Sequence, residues 1–98
     1  MYMIHEFSIT KEDIRKGTIT LPYGAVILSV DYDVEKKFIL HCLTDLQEGR
    51  TEVRSLVARR NDVEIDNHIV ETIMLYNFHY LGVVLDKEDN EKWHFWVK

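Results

Sequence analysis

The apolar runs Ala25-Val26-Ile27-Leu28-Ser29-Val30-Asp31-Tyr32 and Phe38-Ile39-Leu40-His41-Cys42-Leu43-Thr44 flank a polar stretch, Asp33-Val34-Glu35-Lys36-Lys37. Both runs are rich in β-branched and aromatic residues, which pack well on a pleated surface. A loop over Asp33 to Lys37 pairs Tyr32 with Phe38, Val30 with Leu40 and Leu28 with Cys42. In that register Val26, Leu28, Val30, Tyr32, Phe38, Leu40 and Cys42 share one face. A slip of one residue would scatter them over both faces, because side-chain direction alternates along a strand. The opposite face carries Ile27, Ile39 and Leu43 beside Ser29, Asp31 and His41, so it is expected to be partly covered too. This hairpin marks the chain as antiparallel β.

Period two also governs the chain on either side. Met3 to Ile9 reads as a first strand. Thr10 followed by Glu12 and Asp13 supplies an N-cap and an acidic first turn, so Lys11 to Lys16 reads as a short helical turn stopped by Gly17. Thr18 to Leu21 is a brief strand, and Leu21-Pro22-Tyr23-Gly24 suits a type I turn with proline at its second position. After the polar connection Asp45 to Arg50, Thr51 to Arg59 alternates as another strand, broken by Asn61-Asp62. Asp66-Asn67 offers a helix cap, with Ile69, Val70, Ile73 and Asn77 on one helical face; a short helix is expected despite the β-branched composition of Val63 to Asn77.

A second hairpin, Phe78 to Leu85 with Lys92 to Lys98, pairs Val84 with Trp93 and Gly82 with Phe95. Tyr80, Val84, Trp93, Phe95 and Val97 then face the core. Leu81, Val83, His94 and Trp96 fall on the other face, and if uncovered they form a candidate partner surface. The expected fold is one domain over residues 1–98, mainly β, an antiparallel sandwich or open barrel of about six strands with one short helical segment.

Size and charge narrow the function. Ninety-eight residues hold one hydrophobic core. The net charge of −5, from 17 acidic and 12 basic residues, argues against a phosphate backbone as partner. The one basic cluster, Arg54, Arg59 and Arg60, is split by strand alternation, with Arg59 on its own face. Without a basic groove, stacking of Trp93 and Trp96 on single-stranded nucleic acid is disfavoured. No stretch approaches the roughly 20 apolar residues that span a bilayer. The start of the chain lacks the pattern of a signal peptide, so the cytoplasm is the expected compartment.

No chemistry-bearing motif emerges. Cys42, the single cysteine, lies in an apolar run and reads as a small core hydrophobe. The five histidines, His5, His41, His68, His79 and His94, show no HxH, HxxxH or HExxH spacing. His79 and His94 share a face in the expected register, and only an unknown sheet order would bring His41 to them. Carboxylates such as Asp86, Glu88, Asp89 and Glu91 sit in a turn, where solvation is expected rather than the cleft that acid–base work needs. Neither a GxSxG elbow nor a glycine-rich phosphate loop is present. The expectation is no catalytic residue, no cofactor and no bound metal.

Three segments carry a family resemblance. Ile19-Thr20-Leu21-Pro22-Tyr23-Gly24-Ala25-Val26-Ile27-Leu28-Ser29-Val30, then Tyr80-Leu81-Gly82-Val83-Val84, then Trp93-His94-Phe95 resemble a family of small phage and bacterial β proteins of unknown function. That family's pattern runs LPxGAxILSV, then YxGxV, then a closing His. Where the family carries a Gly-Thr-Gly-His-like motif, this chain has Ala58-Arg59-Arg60-Asn61-Asp62, and Val83 replaces a usual Thr. The resemblance implies a small sandwich-like phage-type protein and supplies no reaction.

Together these readings lead to the expectation of a non-catalytic accessory protein that binds a host or phage protein, an inhibitor of a host factor among the options. Two alternatives differ in class: a virion structural or assembly protein that packs as a homo-oligomer, and a small metal-dependent enzyme built on His41, His79 and His94.

Overall fold

Both hairpins form, and each contains one extra residue that strict alternation conceals. The computed structural model describes residues 1–98. In chain order the elements are β1 (Tyr2–Ile9), α1 (Lys11–Lys16), β2 (Thr18–Pro22), β3 (Val26–Asp33), β4 (Lys37–Asp45), β5 (Thr51–Arg60), α2 (Asn67–Leu75), β6 (His79–Asp86) and β7 (Glu91–Val97). Seven strands therefore stand where about six were expected, with two helices. All pairings are antiparallel, in a three-stranded sheet of order β1-β4-β3 and a four-stranded sheet of order β2-β5-β7-β6. The architecture is a sandwich whose sheets come together where β3 lies beside β6. No helix is long and apolar enough to cross a membrane.

Local chemistry explains the connections. Thr10 caps α1 by accepting from the Asp13 amide at 3.0 Å, while Asp13 accepts from the Thr10 amide at 2.9 Å. This reciprocal box satisfies two N–H groups that a helix start otherwise leaves unpaired. Gly17 ends the helix with φ 75°. The next turn lies one residue later than expected. The Ala25 amide donates to the Pro22 carbonyl at 3.1 Å and Gly24 has φ 74°. A positive φ at the third turn position makes this type II rather than type I. Asp66 caps α2 by accepting from the His68 amide at 2.7 Å. Half-buried Ile69, Thr72 and Ile73 form the inner side of α2, whereas Val70 is exposed.

The expected register holds near the turn of the first hairpin, with Tyr32 opposite Phe38 and Val30 opposite Leu40. It then shifts between Ile27 and Ser29, so Ile27, not Leu28, sits opposite Cys42. Ile27 packs against the core, while Val26 and Leu28 are exposed. A β-bulge of this kind adds one residue to one strand and reverses the facing of everything beyond it.

The second hairpin repeats the device. Val84 pairs with Trp93 and Gly82 with Phe95, but Tyr80 pairs with Trp96 and Leu81 is the extra residue. Gly82 takes φ 112° at this bulge. Leu81 turns in against the core and Tyr80 turns out.

The core lies between the sheets. Leu40, Cys42 and Phe95 are fully buried, with Leu21, Leu56 and Ala58 nearly so. Phe38 meets Phe95 edge-on at 5.0 Å and Trp93 at 5.7 Å, joining the two hairpins across the sandwich. At the shared tip of the hairpins, Lys37 Nζ reaches Glu88 at 3.0 Å. Burial, with the nearby charges of Asp86 and Glu88, holds the Tyr32 hydroxyl above its usual range.

Two outcomes follow from this packing. A Cβ on Gly82 meets nothing within 4 Å, so Gly82→Ala isolates backbone strain. Urea unfolding should show a loss of about 1–3 kcal/mol, the usual cost of a disfavoured φ/ψ. Gly49→Ala, in open space without a positive φ, should change stability by less than about 0.5 kcal/mol. Equal effects would contradict the bulge. Burial pushes the Cys42 thiol up to about 11. Native protein at pH 8 should resist a thiol-alkylating reagent and label fully once unfolded; rapid native labelling would refute this burial.

Candidate functional site

Strands β6 and β7 position a set of rings on the outer face of the four-stranded sheet. Phe95 and Val97 point into the core, so Trp96 and His94 point outward by alternation. The bulge at Leu81 brings Tyr80 onto the same face, opposite Trp96. Tyr80 and His94 stack with ring centroids 6.0 Å apart, His94 and Trp96 at 6.2 Å, and Tyr80 tilts against Trp96 at 5.3 Å. An aromatic pair such as Tyr80 and Trp96 contributes about 0.5–1.5 kcal/mol beyond the area it buries.

Hydrogen bonds hold the central ring. His94 Nδ1 lies 2.8 Å from the Tyr80 hydroxyl, and His94 Nε2 lies 3.0 Å from Asn61 Oδ1. The Asn61 amide oxygen can only accept, so Nε2 donates to it, and the Tyr80 hydroxyl pairs with Nδ1. Asn61 is placed by its own backbone, whose amide donates to the Lys92 carbonyl at 2.8 Å.

The surroundings divide the face in two. Toward β5, Val57 lies opposite Trp96 yet is buried. α1 packs beside β5, and a cleft of about 280 Å³ between the two helices and β5 is lined by Ile14, Val57, Ile69, Thr72 and Phe78. Toward the β6 edge the face is more open, bordered by β3 across a groove that Val83 and Leu85 line with Val30 and Tyr32. Tyr80 is 46% exposed and Val83, opposite His94, is 54% exposed. Arg59 lies opposite His94 on the other side and donates to the Ala58 carbonyl at 2.8 Å.

Of the sequence-derived surface of Leu81, Val83, His94 and Trp96, three residues are brought together. Leu81 is not; the bulge sends it inward, and Tyr80 takes its place. The same bulge corrects the shared face of His79 and His94. His79 pairs with Val97 on the opposite side of the sheet, in a cleft with Ala25, Val26 and Arg54. His41 lies in the other sheet, His5 bonds Thr44 Oγ1 at 2.9 Å, and no group of three or more His, Cys, Asp or Glu side chains is placed to hold a metal.

One carboxylate departs from the expected solvation. Asp86 is buried, with Oδ1 accepting from the amides of Glu88 at 3.0 Å and Asp89 at 3.4 Å. It closes the β6–β7 turn from inside. Tyr80 and Asn61 are the site residues that sequence reasoning missed. Gly82 inside a strand was the available signal for the first, since an interior strand glycine often marks a bulge. Nothing local announced Asn61, which reaches His94 across a separation of 33 residues. The arrangement offers contact area, stacking faces and one hydrogen-bonded row that keeps the rings in place.

Comparison of the chain with protein-family models, with curated proteins and with solved structures returns no match.

Proposed function

We propose that this chain is a non-catalytic accessory protein that binds another protein through the more open outer face of β6 and β7. The carrying observation is the stacked set Tyr80, His94 and Trp96, in which Tyr80 is exposed beside Val83 while His94 and Trp96 are half-buried. Aromatic side chains offer large contact areas at low entropic cost and are enriched at interface centres. The hydrogen bonds from His94 to Tyr80 and Asn61 order the rings before any partner arrives, which lowers the cost of binding. An acidic chain with a net charge of −5 favours a protein over a nucleic acid as the stacking partner.

Small size and the LPYGAVILSV-type resemblance support a phage-encoded protein acting in the host cytoplasm, with inhibition of a host factor as the mode of action. The alternative, an assembly role in which copies of the domain pack together, is favoured by a separate feature, the unpaired edge of β1.

Affinity capture of the tagged protein from host lysate tests the reading, with Val83→Asp and Tyr80→Ala as the decisive variants. Both side chains are substantially exposed, so both variants should fold. A partner recovered in stoichiometric amount should bind each variant at least tenfold more weakly, about 1.4 kcal/mol. Undiminished binding by the double variant would place the interface elsewhere.

A further inference from the structure

Met1, Met3 and His5 alternate along the approach to β1 and its first half, a spacing that puts their side chains on one side of the strand. Farther along, Phe7 and Ile9 continue the series and pack against the core. Cover by the core fades in order: Ile9 is buried, Phe7 and His5 are half-buried, and Met3 and Met1 are exposed. The Met1 carbonyl accepts from the Leu46 amide at 2.9 Å, which keeps this end of the chain beside the end of β4.

His5 Nε2 lies 3.1 Å from Met3 Sδ. Two neighbours fix the ring in that position. Thr44 Oγ1 lies 2.9 Å from His5 Nδ1, and the Phe7 ring meets the imidazole edge-on at 6.4 Å. Thr44 is buried, and its hydroxyl donates to the Met3 carbonyl at 3.3 Å. A hydroxyl has one proton, so with that proton on the carbonyl, Oγ1 accepts from Nδ1–H. In the neutral imidazole Nε2 then keeps a lone pair, and the thioether that it faces has no proton to give. Two electron-pair donors therefore face each other across 3.1 Å, within reach of solvent.

We propose that Met3 Sδ and His5 Nε2 form a binding site for a soft monovalent metal ion, copper(I). Bonds of about 2.0 Å to imidazole nitrogen and about 2.3 Å to sulfur together exceed the Sδ–Nε2 separation, so one ion seated beside that line reaches both donors. Met1, about 7 Å back along an extended chain, offers a further thioether on a side chain with three rotatable bonds. Thioether sulfur is a soft donor that selects copper(I), whereas calcium and magnesium take oxygen. Zinc takes thiolate, imidazole or carboxylate, and on this side of β1 His5 is the one such group. Thr44 plays the part of the outer partner that sets the tautomer and orientation of a metal-binding histidine. The site lies on the three-stranded sheet, so its fate leaves the proposal for β6 and β7 untouched.

Silver(I), a soft and diamagnetic ion, is the probe. The full chain labelled with carbon-13 at its methionine methyls gives three signals, from Met1, Met3 and Met74. Met74 is 75% exposed on α2 and reports what a thioether binds without a site. Silver nitrate in chloride-free buffer should shift the Met3 methyl and the His5 ring protons together, completing near one equivalent, with Met74 unmoved. Copper(I), supplied without oxygen as its acetonitrile complex, should reproduce the pattern, and zinc(II) should not. Met3→Leu, at an exposed position, keeps the apolar bulk and removes the sulfur. It should raise the silver concentration that half-shifts His5 at least tenfold. A His5 response undiminished in Met3→Leu would mean capture by the imidazole alone or by the buried thiol of Cys42, opposite His5 in the sheet, and overturns the proposal. Parallel shifts of Met3 and Met74, or an equal response to zinc(II), overturn it as well.

Discussion

Phe95 is the contact on which the two halves of the sandwich depend. It is fully buried on β7, opposite Gly82, and meets Phe38 of the other sheet edge-on at 5.0 Å. Burying a phenylalanine contributes roughly 1.5–3 kcal/mol, and here the same ring fixes the facing of a whole strand. With Phe95 and Val97 committed to the core, His94 and Trp96 have nowhere to point but outward. Trp93, also in contact with Phe38, and Tyr32 extend the aromatic contact to the tip where the hairpins meet. The outer face of β7 is thus a consequence of packing on its inner face.

The bulges convert that consequence into a site. Without an extra residue in β6, Tyr80 would enter the core beside Val97, and Leu81 would lie on the surface beside Trp96. The left-handed backbone of Gly82 reverses the two. It exchanges an aliphatic side chain for a phenol that both stacks on Trp96 and bonds to His94. The bulge in β3 does the opposite service for the core, turning Ile27 inward at the cost of exposing Val26 and Leu28.

Much of the fold was legible in the sequence because its signals are local. The Thr10 cap and Gly17 stop marked α1 at its observed ends, and the pairings of Tyr32 with Phe38 and Val84 with Trp93 follow from loop length and alternation. The expected Asp66 cap is the observed one, and α2 begins at Asn67. What alternation could not reveal was an interruption of alternation, so Val26, Ile27 and Leu28 in β3 and His79, Tyr80 and Leu81 in β6 were assigned to the wrong face. Sheet order was out of reach for a different reason. The neighbouring of β5 with β2 and β7 joins segments far apart in sequence, and no local pattern encodes it. The candidate site was legible in Val83, His94 and Trp96, while Asn61 required the β5–β7 pairing to be known.

The aromatic face depends on the register of β6 beyond Gly82, and proton–proton contacts in solution read that register directly. Nuclear Overhauser spectra of the folded protein should connect the Tyr80 ring to the indole of Trp96 and the imidazole of His94, and the Leu81 methyls to side chains of the core. Contacts of Tyr80 with Phe95 or Val97, together with contacts of Leu81 with Trp96, would mean an unbulged hairpin and would remove the site described here.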